Sequence, residues 1–440
     1  MPSDKSQRGL RGHFYFSILA ALTIRVVLLP ISMHADLIFI HYFPSFLSLR
    51  GVWDIYGYFG DHFLSKGFTY YPPLVYYVTG FFQWFLGALE PGFRPFMERT
   101  HSLMYGGGVE TAQYFAPYSR SEILRLVFWM KLPYLLAEVG CLWLMGRLYA
   151  SRKTEAWSLW LWNPVVIFST YFFGQYRIFS AFCMFCVLYF LSLNKKRDAA
   201  LCLGALCLLD NYAFFLLIPS VLILGDGWAN RLRLFGWALL LPVLVLLPLA
   251  ISSGGYVFQA YFSPIIAKIA LQGIFRHYSE WTAPAGKIIL GAAFSLIVVV
   301  LCRKRNGYTP AGRYRLFVYV NAALLFVVYA VSVTTVHYFM WILPFFVALK
   351  LDGPPWRKWF PVALFTTLFL FNLDTRALNL GLFLPLDAER FLSYPSFHEW
   401  ISSYGVPWGS VVGACRFLFS ALCAYAAVNI YYQRIRPLLV

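Results

Sequence analysis

Residues 234–252, LFGWALLLPVLVLLPLAIS, run for a full bilayer thickness without one charged side chain. Apolar runs of this kind, about 16–22 residues each, recur along the chain with short basic clusters between them, the pattern of a polytopic helical membrane protein. Composition agrees. A soluble domain carries about a quarter charged residues, whereas this chain has 12%, with 60% hydrophobic residues. The expected fold class is an all-α polytopic membrane protein, one transmembrane bundle over residues 1–440 with about 11–13 membrane segments. Interfacial helices are expected in the first outer loop.

The net charge of +17 does not indicate nucleic acid. The Lys and Arg residues stand in short loops, where they act as positive-inside topology signals and attract anionic lipid. No nucleic-acid partner is expected; the surrounding lipids are. The cysteines, Cys141, Cys183, Cys186, Cys202, Cys207, Cys302, Cys415 and Cys423, all fall inside or at the ends of apolar runs. Cys183 and Cys186 form a C-x-x-C within SAFCMFCVLYF, which offers no polar ligand to complete a zinc site. All eight are read as small buried hydrophobes.

Placing basic loops in the cytoplasm orders the chain. HFYFSILAALTIRVVLLPIS (13–32), behind Lys5, Arg8 and Arg11, reads as a retained first helix running outward, so Asp36 lies on the extracytoplasmic side. Residues 146–153, 194–198, 230–233, 303–315, 356–359 and 434–436 are cytoplasmic. Residues 157–175 lead out and 178–193 return, 234–252 out and 287–302 back, 316–334 out and 336–350 back, 360–374 out and 409–431 back. Residues 199–225 start and finish beside cytoplasmic charges but are too short for two full spans. A hairpin of short helices breaking at LDNY (209–212) fits them, with its irregular backbone shielded by protein or lining a polar cavity. Residues 33–122 form an outer region in which YYPPLVYYVTGFFQWFLGALE (70–90) is re-entrant or interfacial. Residues 123–350 continue the bundle and 351–440 add C-terminal helices, with FLSYPSFHEWISSYGVPWGS (391–410) an amphipathic outer segment.

Four patches carry polar chemistry to the outer side. Asp36 follows helix one, flanked by His34 and His41. Tyr71 precedes Pro72 and Pro73 in TYYPPLVYY. LWNPVVIFSTYFFGQYR (161–177) opens at Asn163-Pro164 and ends at Gly174, Gln175, Tyr176 and Arg177. TTVHYFMWILPFF (334–346) starts an inward helix with His337 and Tyr338.

In order and spacing these patches resemble the GT-C glycosyltransferase superfamily over roughly residues 13–350. The nearest likeness is to bacterial polyprenyl-phosphate-dependent mannosyltransferases and glycosylphosphatidylinositol mannosyltransferase I. The resemblance implies a GT-C-type helix bundle and transfer of a hexose, mannose-like, from a polyprenyl-phosphate donor to an extracytoplasmic glycolipid, glycan or protein acceptor, with inversion. Asp36 matches the family's catalytic base. A carboxylate can take the acceptor hydroxyl's proton and tolerate the positive charge developing at the sugar C1. It must be ionised beforehand, so a nearby cation or hydrogen-bond donor is expected.

The leaving group is a lipid phosphate, which calls for cations at the outer face; Arg177, Arg276, His337 and Arg416 are the candidates. His34, His41, Tyr71, Gln175, His277 and Tyr338 form the expected substrate-facing set. No cofactor and no metal site is assigned. Intramembrane Arg25, Lys131 and Glu138 fit a structural buried network equally well.

The chain departs from the family at three places. Arg177 stands where G-Q-x-D has its Asp. The short hairpin offers Asp210 and Asn211 where a Lys is common. A single acid, Asp36, precedes Asp54. These departures leave a non-catalytic accessory protein open as an alternative. A lipid-linked saccharide transporter, the other alternative, calls for charges along a through-going path or two internal repeats, and neither is visible. The expected location is a bacterial plasma membrane, or the endoplasmic reticulum membrane in a eukaryote, with the site on the extracytoplasmic side.

Overall fold

The computed structural model describes residues 4–63, 71–105, 111–210, 212–253, 257, 282–303, 308–332, 334–352, 359–373 and 378–439. Among the described residues there are helices and turns but no strand. Helix α1 (Asp4–Ile31) stops after Pro30, and Ser32, Met33 and His34 lead into α2 (Ala35–Arg50), bent by 72° from α1. His34 has extended backbone and caps α2, and Gly51 ends it in the left-handed conformation that glycine adopts without strain. Then follow α3 (Ile55–Phe63), α4 (Pro73–Leu89), α5 (Phe93–Tyr105), α6 (Thr111–Phe115) and the long α7 (Arg120–Leu148), opened by a capping box of Ser119 and Glu122.

The next apolar stretch is broken. Helix α8 (Lys153–Leu161) stops, and Asn163 caps a restart at Pro164 by accepting the Val165 amide proton at 2.9 Å. The short α9 (Pro164–Val166) widens into a π-helix over Ile167–Phe172 before α10 (Arg177–Ser192) returns. The expected short hairpin is present as α11 (Lys196–Leu209) and α12 (Tyr212–Leu224), interrupted at Asp210. Asp210 is 1% exposed, so protein shields the break.

Helices α13 (Trp228–Ser252), α14 (Thr282–Arg303) and α15 (Pro310–Val331) follow. A 3₁₀ segment, Val336–Trp341, then opens α16 (Leu343–Asp352), and α17 (Trp359–Leu370) comes next. The C-terminal part has a 3₁₀ turn at Leu380–Phe383, two short helices, α18 (Ala388–Ser393) and α19 (Phe397–Ser403), and α20 (Trp408–Ile430).

Among the described residues, α7, α13, α15 and Trp408–Leu439 are each long and apolar enough to cross a membrane, with α1 and α2 together a fifth candidate. Shorter apolar helices, including α10, α12 and α17, fill the bundle between them. Of the roughly 11–13 membrane segments expected, four to five have full membrane length among the described residues, and the remaining apolar stretches there are short or broken helices. Large apolar side chains such as Phe81, Trp84, Leu136, Trp143, Ile251 and Phe417 face outward, while Arg25, Lys131 and Glu138 are buried. An apolar exterior around buried charge is the pattern of an all-α membrane protein.

The two ends of the bundle differ. At one end Asp226, between α12 and α13, meets Lys196 and Arg313, and Arg313 also donates to Asn194 at 3.2 Å. The Tyr149 and Tyr314 hydroxyls lie 2.9 Å apart there, and Arg152 reaches the Leu351 carbonyl. These are the loops read from sequence as lying on one side. At the other end Tyr71 contacts Tyr176 (5.6 Å between rings) and Arg125 bonds Glu90 at 3.1 Å. Both ends of α4 thus reach the Asp36 end, where α4 packs along α2.

Candidate functional site

Asp36 stands in the first turn of α2, just past the bend that ends α1. Its position rests on how the breaks in three neighbouring segments are stitched. Where α8 stops, the Leu161 carbonyl has no continuing helix to pair with, and Arg25 Nη2 donates to it at 2.8 Å. Arg25 also donates through Nε to Glu138 Oε2 at 2.8 Å and through Nη1 to the Ala21 carbonyl at 2.9 Å. Glu138 in turn accepts from Trp160 Nε1 at 3.0 Å and from the Tyr171 hydroxyl.

One level nearer Asp36, Lys131 Nζ donates to the carbonyls of Leu28 (2.9 Å), Ser32 (2.5 Å) and Tyr171 (2.7 Å). The Tyr171 carbonyl also accepts the Ser32 hydroxyl proton at 2.8 Å. Backbone groups freed by a bend, a break and a π-turn inside a membrane must find donors in the protein. Lys131 and Arg25 supply them, so these intramembrane cations have structural work. The alternative of a buried network is the one the geometry displays.

The stitched segments deliver a small polar cluster. The Phe173 carbonyl accepts the His34 amide proton at 3.1 Å, and the Met33 amide donates to the Leu382 carbonyl at 2.7 Å. Gly174 has φ +80°, and a Cβ there would sit 3.3 Å from Leu37 Cδ1. That turn aims Gln175 at Asp36: Gln175 Nε2 donates to Asp36 Oδ2 at 2.6 Å. His34 Nδ1 lies 3.2 Å from the Asp36 amide nitrogen and 3.3 Å from Asp36 Oδ1. One nitrogen does not serve both: neutral Nδ1 caps the amide, and protonated Nδ1 donates to the carboxylate. The His34 ring stacks on Phe173 at 4.1 Å, and His337 packs on the same phenyl ring at 5.1 Å. His337 is held by Thr335 Oγ1, 3.2 Å from its ring nitrogens.

Burial raises the Asp36 carboxyl, but the hydrogen bond and charge of His34, the charge of His337 and the Gln175 hydrogen bond outweigh it and leave it below the usual carboxylate range. The acid is one-third exposed at its side chain, so its ionised form is open to an incoming group. Tyr71 lines the same end. Burial, then the Asp36 charge, drives its phenol well up, so it stays a neutral hydroxyl.

Of the expected site residues, the fold gathers Asp36, His34, Gln175, His337, Tyr71, Tyr338 and Arg177 at one end. It takes His41 elsewhere. His41 turns from Asp36 toward α4, where Gln83 Nε2 lies 3.2 Å from His41 Nδ1 and donates to the His41 carbonyl at 2.6 Å. Its hydrophobic surroundings explain the difference from expectation, because α2 is buried along most of its length. Arg416 lies on α20 over Phe371, 5.6 Å from the ring centroid. Arg276 and His277 lie outside the described residues.

Arg177 is deeply engaged. Its guanidinium pairs with Asp210 and lies 4.3 Å from the Tyr176 ring, 4.8 Å from Tyr338 and 5.5 Å from Trp341. The sequence reading missed Phe173, the platform for both imidazoles, and Asp210 as the partner of Arg177. Gly174 was the one local signal of a turn there.

No protein-family model matches the chain, and the search of curated proteins finds no match.

Proposed function

We propose that the protein is an integral membrane glycosyltransferase with a GT-C-like bundle, moving a mannose-like hexose from a polyprenyl-phosphate donor to an extracytoplasmic acceptor. The observation that carries this reading is the meeting of Asp36, Gln175 and His337, from three distant patches, around one carboxylate at one end of the bundle. An ionised acid at the rim of an apolar bundle is placed where a lipid-borne donor and a water-borne acceptor can both arrive.

In the reaction Asp36 takes the acceptor hydroxyl's proton as its oxygen bonds to the sugar C1. The bond from C1 to the phosphate oxygen breaks, and polyprenyl phosphate leaves from the opposite face, inverting the configuration. His34, stacked on Phe173, stays with Asp36 on the base side, and His337, packed against the same ring, is the candidate donor toward the developing phosphate charge. Gln175 fixes the carboxylate's orientation.

The test uses purified protein and Asp36→Asn, incubated with a panel of polyprenyl-phosphate hexoses and candidate acceptors. Transfer by wild type, lost in a folded Asp36→Asn, is the expected result. Donor binding by both with transfer by neither replaces the reading with an accessory role. Transfer persisting in the variant refutes Asp36 as base.

A further inference from the structure

Arg177, two residues past Gln175, is a cation to consider for a donor phosphate. Its surroundings argue against that use. Among the described residues, the guanidinium, 7% exposed, faces three aromatic rings and is matched by a single carboxylate, Asp210, to which Ser180 also donates. A cation enclosed by ring faces and neutralised by a buried acid has neither free charge nor open approach for an anion. What the contacts do join is three places where regular helix fails. Arg177 belongs to the first turn of α10, Asp210 to the break between α11 and α12, and Tyr338 and Trp341 to the 3₁₀ segment. Tyr212, just past the break, stacks on Trp341 at 4.2 Å, closing the ring of contacts. The two departures noted in the sequence, Arg177 and Asp210, are therefore one feature.

We propose that Arg177 and Asp210 form a latch that sets the site from behind, as positioning residues, and that Arg177 does not contact the donor phosphate. The latch holds the α10 start in register, and Gln175, two residues earlier, is thereby kept on Asp36. The kinetic part of this inference rests on the proposed transfer reaction; the ion-pair part does not.

The test is a cycle of Arg177→Met, Asp210→Leu and the double variant, with Asp210→Asn added, in detergent-purified full-length protein. Thermal unfolding reads the pair without any substrate. Transfer from polyprenyl-phosphate mannose, split into kcat and donor KM, reads the site. Removing one partner leaves a buried unpaired charge, while an apolar pair of similar volume restores packing. Each single variant is therefore expected to melt lower than the double. Methionine suits the aromatic faces that Arg177 leaves.

The double variant is expected to keep donor KM within about threefold of wild type while kcat falls, the signature of lost positioning. Asp210→Asn, which frees the guanidinium, is expected to lower the melting temperature without tightening donor binding. A folded double variant whose donor KM rises about 10–100-fold, the scale of one lost charged hydrogen bond to phosphate, overturns the proposal. So does tighter donor binding by Asp210→Asn. A double variant that melts no higher than the singles also overturns it. If wild type transfers nothing from any donor, the functional reading fails while the melting cycle still decides whether the pair is a latch.

Discussion

Replacing Glu138 with alanine leaves the buried Arg25 guanidinium without its counter-charge. Glu138 is 1% exposed and takes hydrogen bonds from Arg25, itself 0% exposed, and from Trp160 and Tyr171. In Glu138→Ala the guanidinium keeps the Ala21 and Leu161 carbonyls but loses its counter-charge. Breaking one side of a buried ion pair costs about 3–5 kcal/mol. The two neutral donors add less, since hydrogen bonds between helices inside membranes average about 0.6 kcal/mol. The charge therefore dominates, and the expected loss is about 3–5 kcal/mol.

Equilibrium unfolding in mixed micelles, followed by circular dichroism, measures it. Glu138→Gln keeps the acceptor oxygen without the charge and is expected to fall between wild type and alanine. Arg25→Met with Glu138→Met removes both charges, and the pair is expected to be less destabilised than the sum of its singles by about 0.5–3 kcal/mol. Additive singles, or an alanine variant as stable as wild type, would refute the network as the element that holds α1 to α7 and to the α8 break.

Three further outcomes follow from the site and the basic end. Asp36 is held below the usual carboxylate range, so it stays ionised, and active as a base, until pH falls through that lowered value. The acid limb of kcat/KM is expected below the ordinary range of an aspartate carboxyl and should move up in Gln175→Leu and His34→Ala; an unmoved limb would show that these residues do not tune the acid. Gly174→Ala places a side chain at φ +80° and presses Leu37, at an expected cost of about 1–3 kcal/mol, with transfer falling as Gln175 shifts; unchanged melting and transfer would contradict the turn's role.

Asp226 is raised by burial but lowered on balance by Lys196 and Arg313. A depressed folded value stabilises above the unfolded one and is lost as pH falls through it. Asp226 is 42% exposed, so Asp226→Asn should lose at most about 1 kcal/mol at neutral pH and nothing in strong acid. A loss independent of pH would rule out this linkage.

The sequence by itself determined the class of the molecule, because charge-free runs of membrane length admit helices and little else. It also located one interruption, and the local signals for two others stand in the chain. LDNY reads as the hairpin's interruption, whereas Pro30 at the end of the first helix and Asn163-Pro164 at the break after α8 show their effect in the fold. Such signals are local: a missing amide proton, a capping side chain or too few residues to span twice.

Only the tertiary structure decided which freed carbonyl each buried cation would serve and where each imidazole would turn. Arg25 could have faced Glu138, lipid phosphate or the α8 break, and the packing of α1 on α7 and α8 selected the first and third. His34 and His41 are one residue type in one short stretch. They part because one caps the half-buried start of α2, while the other lies a helical turn or more inside its buried length. Pairing across 33 residues, as between Arg177 and Asp210, leaves no mark in local sequence. Only when two interrupted helices are packed side by side does a buried charge meet the partner that makes its burial tolerable.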